Sequence, residues 1–335
     1  MKKIKEEEAD PMDIFRDREG RFESGRGLGV HMSAMKPYVD YVLDRLVDDA
    51  RIENGELLLP TEGRPVVVIA SHGPGIAWVP LVALVGKVYR DHGCGDMIGG
   101  MFPHKAVFWV PGLKAKYERV LGTPTQISTV EDMTKLLEER RFAITGTAPE
   151  GANCLVSYDE YVAPFRSAGM VAAAIMSGAS ICLAAHKGAE KWNLRLDLPF
   201  GLKIPFTGGL KGVNIALPPY KRLERYVAMC RRYTPIADPE EMKAAGNRER
   251  RMLLHVEMER IRATLNLMTD EISLLMKKAE REERHRPASL HDMGPLDDPG
   301  EWADFSRRAN LNRIGPMPRA YARRPWSPEE IGEKR

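Results

Sequence analysis

Three short stretches of the 335-residue chain bring together the side chains and turns that chemistry needs. They are SHG at Ser71–Gly73, APEG at Ala148–Gly151 and PFRSAG at Pro164–Gly169. The first follows the run PVVVIA (Pro65–Ala70) and presents a lone histidine, His72, with no charged residue close by in the sequence. Two roles fit an imidazole in that setting. It is a turn residue donating to a nearby carbonyl, or it is a neutral base, since an ordinary histidine with a pKa of about 6.5 is mostly unprotonated at pH 7. Gly73 and Gly75 beside it permit a tight turn and a close approach of substrate to the backbone. The second stretch adds the carboxylate of Glu150, and the third the guanidinium of Arg166.

The elements around these stretches decide whether they can meet. Continuous Val and Ile in PVVVIA mark a strand buried on both faces, as in a parallel sheet covered by helices. Phe142–Gly151 reads as a strand running into a turn, and Ala106–Val110 and Ala179–Ala185 as further strands. Between them, Val79–Tyr89, Val130–Arg140 and Gly169–Met176 read as helices. Earlier, Met35, Val39, Val42, Leu43, Leu46 and Val47 share one helical face, with Pro37 acceptable in the first turn. Strand and helix alternate, which predicts an α/β fold with a mixed, largely parallel sheet and crossover connections. Ligand sites in such sheets gather beyond the carboxyl ends of the strands, where all three stretches fall. A long helix is expected over Arg251–Lys277, with Leu254, Met258, Ile261, Leu265, Met268, Ile272 and Leu275 in one apolar stripe. That stripe packs on its own domain or pairs two copies into a homodimer. The expected organisation is a mobile arm over 1–33, one α/β domain over 34–280 and an extended or disordered tail over 281–335.

Composition narrows the class. With 43% hydrophobic and 29% charged residues, the chain has the balance of an ordinary soluble globular protein. A net charge of +3 gives no argument for nucleic acid. The cysteines at 94, 154, 182 and 230 form no C-x-x-C pair, which fits a reducing compartment and neither a zinc site nor a disulfide framework. No group of His, Cys and carboxylates has metal-ligand spacing, so no metal is expected. Cys154 reads as a plain buried thiol rather than a nucleophile. Gly208-Gly209 lacks the phosphate-loop spacing, and the absence of G-x-S-x-G argues against an α/β hydrolase. The opening MKKIKEEEADPMD has no apolar core for a signal peptide, and Met170–Ala185 is too short and too rich in small residues to span a bilayer. The basic run KRLERY (Lys221–Tyr226) reads as a solvated face or a contact for anionic headgroups.

Taken in order, these blocks resemble the glycerolipid acyltransferase superfamily, the lysophosphatidate and other lysophospholipid acyltransferases. They are most similar to its mono- and diacylglycerol acyltransferase branch. The resemblance runs roughly from Tyr38 to Arg225. It covers the histidine turn, F-W-V-P-G-L (Phe108–Leu113), L-G-T (Leu121–Thr123), P-E-G (Pro149–Gly151) and F-R-x-x-G (Phe165–Gly169). A small-residue helix and a strand ending in H-K-G-A-E (His186–Glu190) follow. It implies a single domain of the glycerol-3-phosphate acyltransferase type. It also implies transfer of an acyl group, from acyl-CoA or acyl carrier protein, to the hydroxyl of a lipid acceptor in phospholipid biosynthesis. In that chemistry His72 takes the proton of the attacking hydroxyl. Gly73, Glu150, Gly151 and Arg166 bind the acceptor and the oxyanion, with Arg166 suited to a phosphate oxygen. No cofactor beyond the thioester co-substrate is implied; a cytoplasmic protein held peripherally on a membrane is.

One departure bears on activity. The family pairs its histidine with an aspartate in H-x-x-x-x-D, and here that position is Ala77. The branch form H-x-G-G-x-P-x-D places it at Val79. Losing the orienting carboxylate of a histidine triad costs about 10⁴ in turnover. Either another carboxylate (Asp96, Asp159 or Glu160) or a backbone carbonyl holds the ring. Otherwise the chain binds a lipid or acyl chain, or serves an assembly, without catalysis.

Overall fold

The computed structural model describes residues 29–101, 129–157, 160–197, 212–216 and 221–285. The chain divides into two units, Met1–Lys278 and Ala279–Arg335, and nearly all described residues belong to the first. The predicted strand at Ala106–Val110, the blocks at Phe108–Leu113 and Leu121–Thr123, Asp159, Gly208-Gly209, most of the N-terminal arm and nearly all of the C-terminal tail lie outside the described residues.

Ten strands are described. They are β1 (Val30–His31), β2 (Val47–Glu53), β3 (Val66–Ala70), β4 (Ile98–Met101) and β5 (Ile144–Thr147), then β6 (Val156–Ser157), β7 (Ser180–Lys187), β8 (Asn193–Asp197), β9 (Gly212–Ala216) and β10 (Leu223–Tyr233). The helices are α1 (Lys36–Leu46), α2 (Val79–Asp91), α3 (Val130–Glu138), α4 (Gly169–Ser177), α5 (Pro239–Ala244) and α6 (Asn247–His285). Seven strands form one sheet in the order β1-β4-β5-β3-β7-β10-β2, and β6, β9 and β8 form a second, small one. In the large sheet β4, β5, β3 and β7 run parallel, β10 is antiparallel to β7, and β1 is antiparallel to β4. The fold is α/β with a mixed, largely parallel sheet flanked by helices.

The physical reason for that arrangement is in the strand sequences. Val66, Val67, Val68 and Ile69 are all buried, so β3 needs cover on both faces. On one face Val66, Val68, Cys182, Ala184 and Ala228 pack against Leu81, Leu84 and Val88 of α2 and Met35 and Val39 beside and on α1. On the other, Val67, Ile69, Ile181 and Leu183 are buried too, and α4 touches β3. α4 is buried from Val171 to Met176, as an all-apolar helix must be. Thr129 caps α3 by accepting from the Asp132 N–H at 3.0 Å.

α6 is longer than its apolar stripe predicted. Met258, Ile261, Leu265, Met268 and Ile272 are buried against the chain's own domain. The run KRLERY meets its expected solvated face only in part, with Lys221, Arg222 and Glu224 exposed. It enters β10, where Leu223 and Tyr226 are buried and Arg225 Nε meets Asp49 at 3.1 Å. β10 lies between β7 and β2, and its middle, Tyr226 to Cys230, is buried in succession, as a strand covered on both faces must be.

Candidate functional site

Strand register brings the candidate residues together. Ile69 of β3 is level with Thr147 of β5, and Ala70 is level with Ala184 of β7. Counting on from those pairs puts His72, Glu150 and His186 at one height past the carboxyl ends of three adjacent parallel strands. The contacts agree with that count. The His72 N–H donates to Glu150 Oε2 at 2.7 Å, the Ser71 N–H to the Ala184 carbonyl at 2.9 Å, and His186 Nε2 to the Ser71 carbonyl at 2.9 Å.

His72 is half-buried at the lip of this layer, with its ring edge-on to Trp78, centroids 6.0 Å apart. Its Nδ1 lies 3.2 Å from the Gly73 carbonyl, which assigns the proton to Nδ1 and leaves Nε2 with its lone pair. Burial lowers its pKa to about 4, outweighing the carbonyl's pull in the other direction. The ring is therefore neutral at pH 7. Gly73 sits at φ +63°, and a Cβ there would stand 2.7 Å from the Tyr161 hydroxyl and 3.1 Å from His186 Cε1. Gly75, at φ +56°, has even less room: a Cβ would lie 1.9 Å from Asn193 Oδ1.

Glu150 is buried, and that burial pushes its pKa up to about 8 despite the His72 N–H at Oε2. Its Oε1 makes no hydrogen bond among the described residues, and the Ala163 backbone near the carboxyl only partly offsets the effect of burial. This side chain is a neutral acid for most of its time at pH 7, fixing the histidine turn rather than carrying a charge. The turn after it is closed internally, with the Gly151 N–H donating to the Ala148 carbonyl at 3.2 Å and the Asn153 N–H to the Glu150 carbonyl at 3.1 Å. Arg166 is tied to the same turn through its backbone, its N–H donating to the Pro149 carbonyl at 2.8 Å. Its side chain is exposed and makes no ion pair among the described residues.

Beneath the turn lies a polar cluster that the sequence did not single out as one. His186 is buried, stacked on Tyr226 at 5.6 Å and edge-on to Tyr161 at 6.4 Å, and burial lowers its pKa to about 3. Its Nδ1, the Tyr161 hydroxyl and Glu190 Oε1 are buried without hydrogen bonds among the described residues. Burial, and then the neighbouring Glu190 carboxylate, hold the Tyr161 hydroxyl protonated well above the usual tyrosine range. A cavity of about 220 Å³ opens beside this cluster, lined by Gly73, Pro74, Tyr161, Glu190, Asn193 and Arg195 among others. The small sheet supplies its far wall. Asn193 clasps the turn, accepting from the Ile76 N–H at 3.3 Å and donating to the Pro74 carbonyl at 2.9 Å. Tyr161 and Asn193 lie in segments with no strong periodicity, so only the contacts reveal them.

The position of the missing aspartate is apolar. Ala77 is buried, and its carbonyl accepts from the Tyr226 hydroxyl at 3.2 Å. Of the other candidate carboxylates, Glu160 is held by Arg262 and by Asn266 at 3.1 Å. Among the described residues the one acceptor at the His72 ring is the Gly73 carbonyl. The four cysteines are free and buried, and burial first of all pushes the Cys154 thiol up to about 12, so it is no thiolate at neutral pH. The described residues contain no cluster able to hold a metal and no helix long and apolar enough to cross a membrane.

No family model matches the sequence, and no curated protein does. Among solved structures the chain is similar to the crystal structure of the 1-acyl-sn-glycerophosphate (LPA) acyltransferase PlsC from Thermotoga maritima. Identity is 14%, over 68% of this chain and 77% of that one, with a TM-score of 0.39. The α/β architecture stands on the strand order and register given above.

Proposed function

We propose that this chain is an acyltransferase. In this reading it moves an acyl group from acyl-CoA or acyl carrier protein to the hydroxyl of a lysophospholipid or related glycerolipid, with His72 as general base. The observation that carries the reading is the His72 ring. It is neutral, Nδ1 faces a carbonyl, and its backbone N–H is fastened to the P-E-G carboxyl group of Glu150 at 2.7 Å, at the strand ends where an α/β sheet binds its ligand. The order of sequence blocks supplies the reaction class.

The chemistry follows from which groups are free. The acceptor hydroxyl gives its proton to His72 Nε2 as its oxygen attacks the thioester carbonyl. The carbonyl oxygen becomes the oxyanion of a tetrahedral intermediate, and collapse expels the thiolate, which takes the proton from the imidazolium. The Gly73 N–H makes no hydrogen bond to a described residue and is the donor nearest the base for that oxyanion. Arg166, exposed beside the P-E-G turn, is the cation that would meet a phosphate on the acceptor. A pKa near 4 has a cost. Holding a proton at Nε2 is about 3 kcal/mol harder than on an exposed histidine, at about 1.4 kcal/mol per pKa unit. A family aspartate at position 77 would offset that cost, and Ala77 cannot.

That deficit favours a second reading, a relative that binds lysolipid or acyl chain without turning it over. The discriminating experiment incubates the full chain with acyl-CoA and acyl carrier protein donors and a panel of lysophospholipids, with product detected by mass spectrometry. The acyltransferase reading predicts a diacyl product with at least one acceptor. Saturable lysolipid binding with no product from any pair would replace it by the second.

A further inference from the structure

Two buried aromatic side chains hold the histidine turn at both of its ends. His186 of β7 donates from Nε2 to the Ser71 carbonyl at 2.9 Å, immediately before the base. Tyr226 of β10 donates its hydroxyl proton to the Ala77 carbonyl at 3.2 Å, two residues before α2 begins. The two rings are stacked on each other, with centroids 5.6 Å apart and planes 21° from parallel. Register explains the stack. His186 is level with Ala228, so Tyr226 is its diagonal neighbour on the same face of the sheet, within reach of an aromatic ring.

Polar rings are an uncommon choice for strand positions buried as completely as these, where apolar side chains pack without penalty. His186 even leaves Nδ1 without a hydrogen bond among the described residues, a destabilising feature that packing alone does not explain. Burial keeps the His186 ring neutral and the Tyr226 hydroxyl protonated, well above the usual tyrosine range, so both remain single donors at neutral pH. Their acceptors are the two carbonyls that bound the turn. The peptide that carries the base is held on its other side as well, since the His72 N–H donates to Glu150 Oε2 at 2.7 Å. The His186 ring also rests against Gly73, where a Cβ would stand 3.1 Å from Cε1. Gly73 supplies the carbonyl that faces His72 Nδ1.

We propose that His186 and Tyr226 are positioning residues that aim the His72 ring, doing through the backbone what the carboxylate absent from position 77 would do directly. Between the two held carbonyls the turn contains Gly73 and Gly75, both at positive φ, and glycines leave a backbone free to wander unless its ends are fixed. Fixing Ser71 and Ala77 confines that freedom and keeps the Gly73 carbonyl on Nδ1. What the aimed ring is used for rests on the acyltransferase reading; its aim does not.

The test reads the ring with and without turnover. Long-range proton–nitrogen NMR spectra of the full chain, with the His72 signals assigned by their loss in His72→Ala, are expected to show the Nδ1–H tautomer alone at pH 7. His186→Phe and Tyr226→Phe each keep the stacked rings and remove one donor, and each is expected to give His72 a mixture of tautomers. In acyl transfer, His186→Phe is expected to lower kcat by about tenfold or more with KM changed by less than about twofold. His186→Gln, which returns an amide donor toward Ser71, is expected to recover most of that loss. The two Phe changes together are expected to cost less than the product of their separate effects, because both act on one turn. Should His186→Phe fail to fold, Tyr226→Phe carries the same test. An unmixed Nδ1–H tautomer in the Phe variants, or a loss of kcat that His186→Gln does not recover, would overturn the assignment. A wild type that makes no product from any donor and acceptor, with tautomers mixed in the Phe variants, would remove the acyltransferase reading and leave the assignment standing.

Discussion

At the scale of single residues, the site depends on a histidine whose partner is a backbone group. The Gly73 carbonyl at 3.2 Å fixes the tautomer but adds no negative charge, and burial lowers the His72 pKa to about 4. The expected pH profile of kcat/KM for acyl transfer is therefore flat from about pH 5 to 7, with its acid limb close to 4. An acid limb near 6.5 would show a ring with ordinary solvation. His72 and Glu150 were both legible in the sequence, because each ends a β-branched or apolar run at a glycine turn. The carbonyl that replaces the aspartate was not, since a backbone oxygen has no letter of its own and its aim depends on the φ of Gly73. His186 stood out in the sequence only as the first residue of H-K-G-A-E at a strand end; its burial under the turn follows from the register of β7, which no local pattern encodes.

At the scale of elements, two joints hold the site's frame. The first is the Asn193 clasp between the small sheet and the histidine turn. Gly75→Ala would drive a methyl group into Asn193 Oδ1 at a backbone angle that L-residues rarely adopt. It is expected to lower stability by about 2 kcal/mol or more and activity by a larger factor than Gly93→Ala, whose site is open, as measured by thermal melts and initial rates. The second joint is Glu257 of α6. Its carboxylate is buried and accepts from the Ile236 N–H at 2.6 Å, the Ala237 N–H at 2.9 Å and the Tyr233 hydroxyl, with Arg260 at 3.2 Å. Glu257→Ala leaves two buried N–H groups and a phenol without an acceptor, and urea unfolding is expected to show a loss of about 3 kcal/mol. A loss under 1 kcal/mol would mean that the helix is held by its apolar stripe alone. The stripe itself was legible, because its spacing of three and four is a local signal, although both packing on the domain and pairing of two copies fitted it. β10 was missed for the opposite reason. Its charged start, LER, looks like surface, although the strand LERYVAMCRRY pairs with β7 and β2 and is buried continuously from Tyr226 to Cys230.

At the scale of the whole molecule, three buried groups give stability a shape against pH. His72 and His186 have native pKa values of about 4 and about 3, below the 6.5 of an unfolded chain. Below 6.5 the unfolded state takes up their protons first, so their contribution falls as pH drops. Glu150 acts in the reverse direction. Its native pKa of about 8 lies above its ordinary 4.5, so the native state holds that proton longer and stability falls as pH rises from 4.5 to 8. Two rising terms outweigh one falling term up to 6.5, and only the falling term acts above it, which places the maximum near pH 6.5. From there to pH 8 the wild type is expected to lose about 2 kcal/mol, and Glu150→Gln to lose almost none, in urea unfolding at each pH. The measurement that tests the central claim most directly is the rate of acyl transfer to the best lysolipid acceptor at pH 7, wild type against His72→Ala. A base acting through Nε2 predicts a loss of about 10² to 10⁴ in kcat with the fold intact. Equal rates in the two proteins would contradict it.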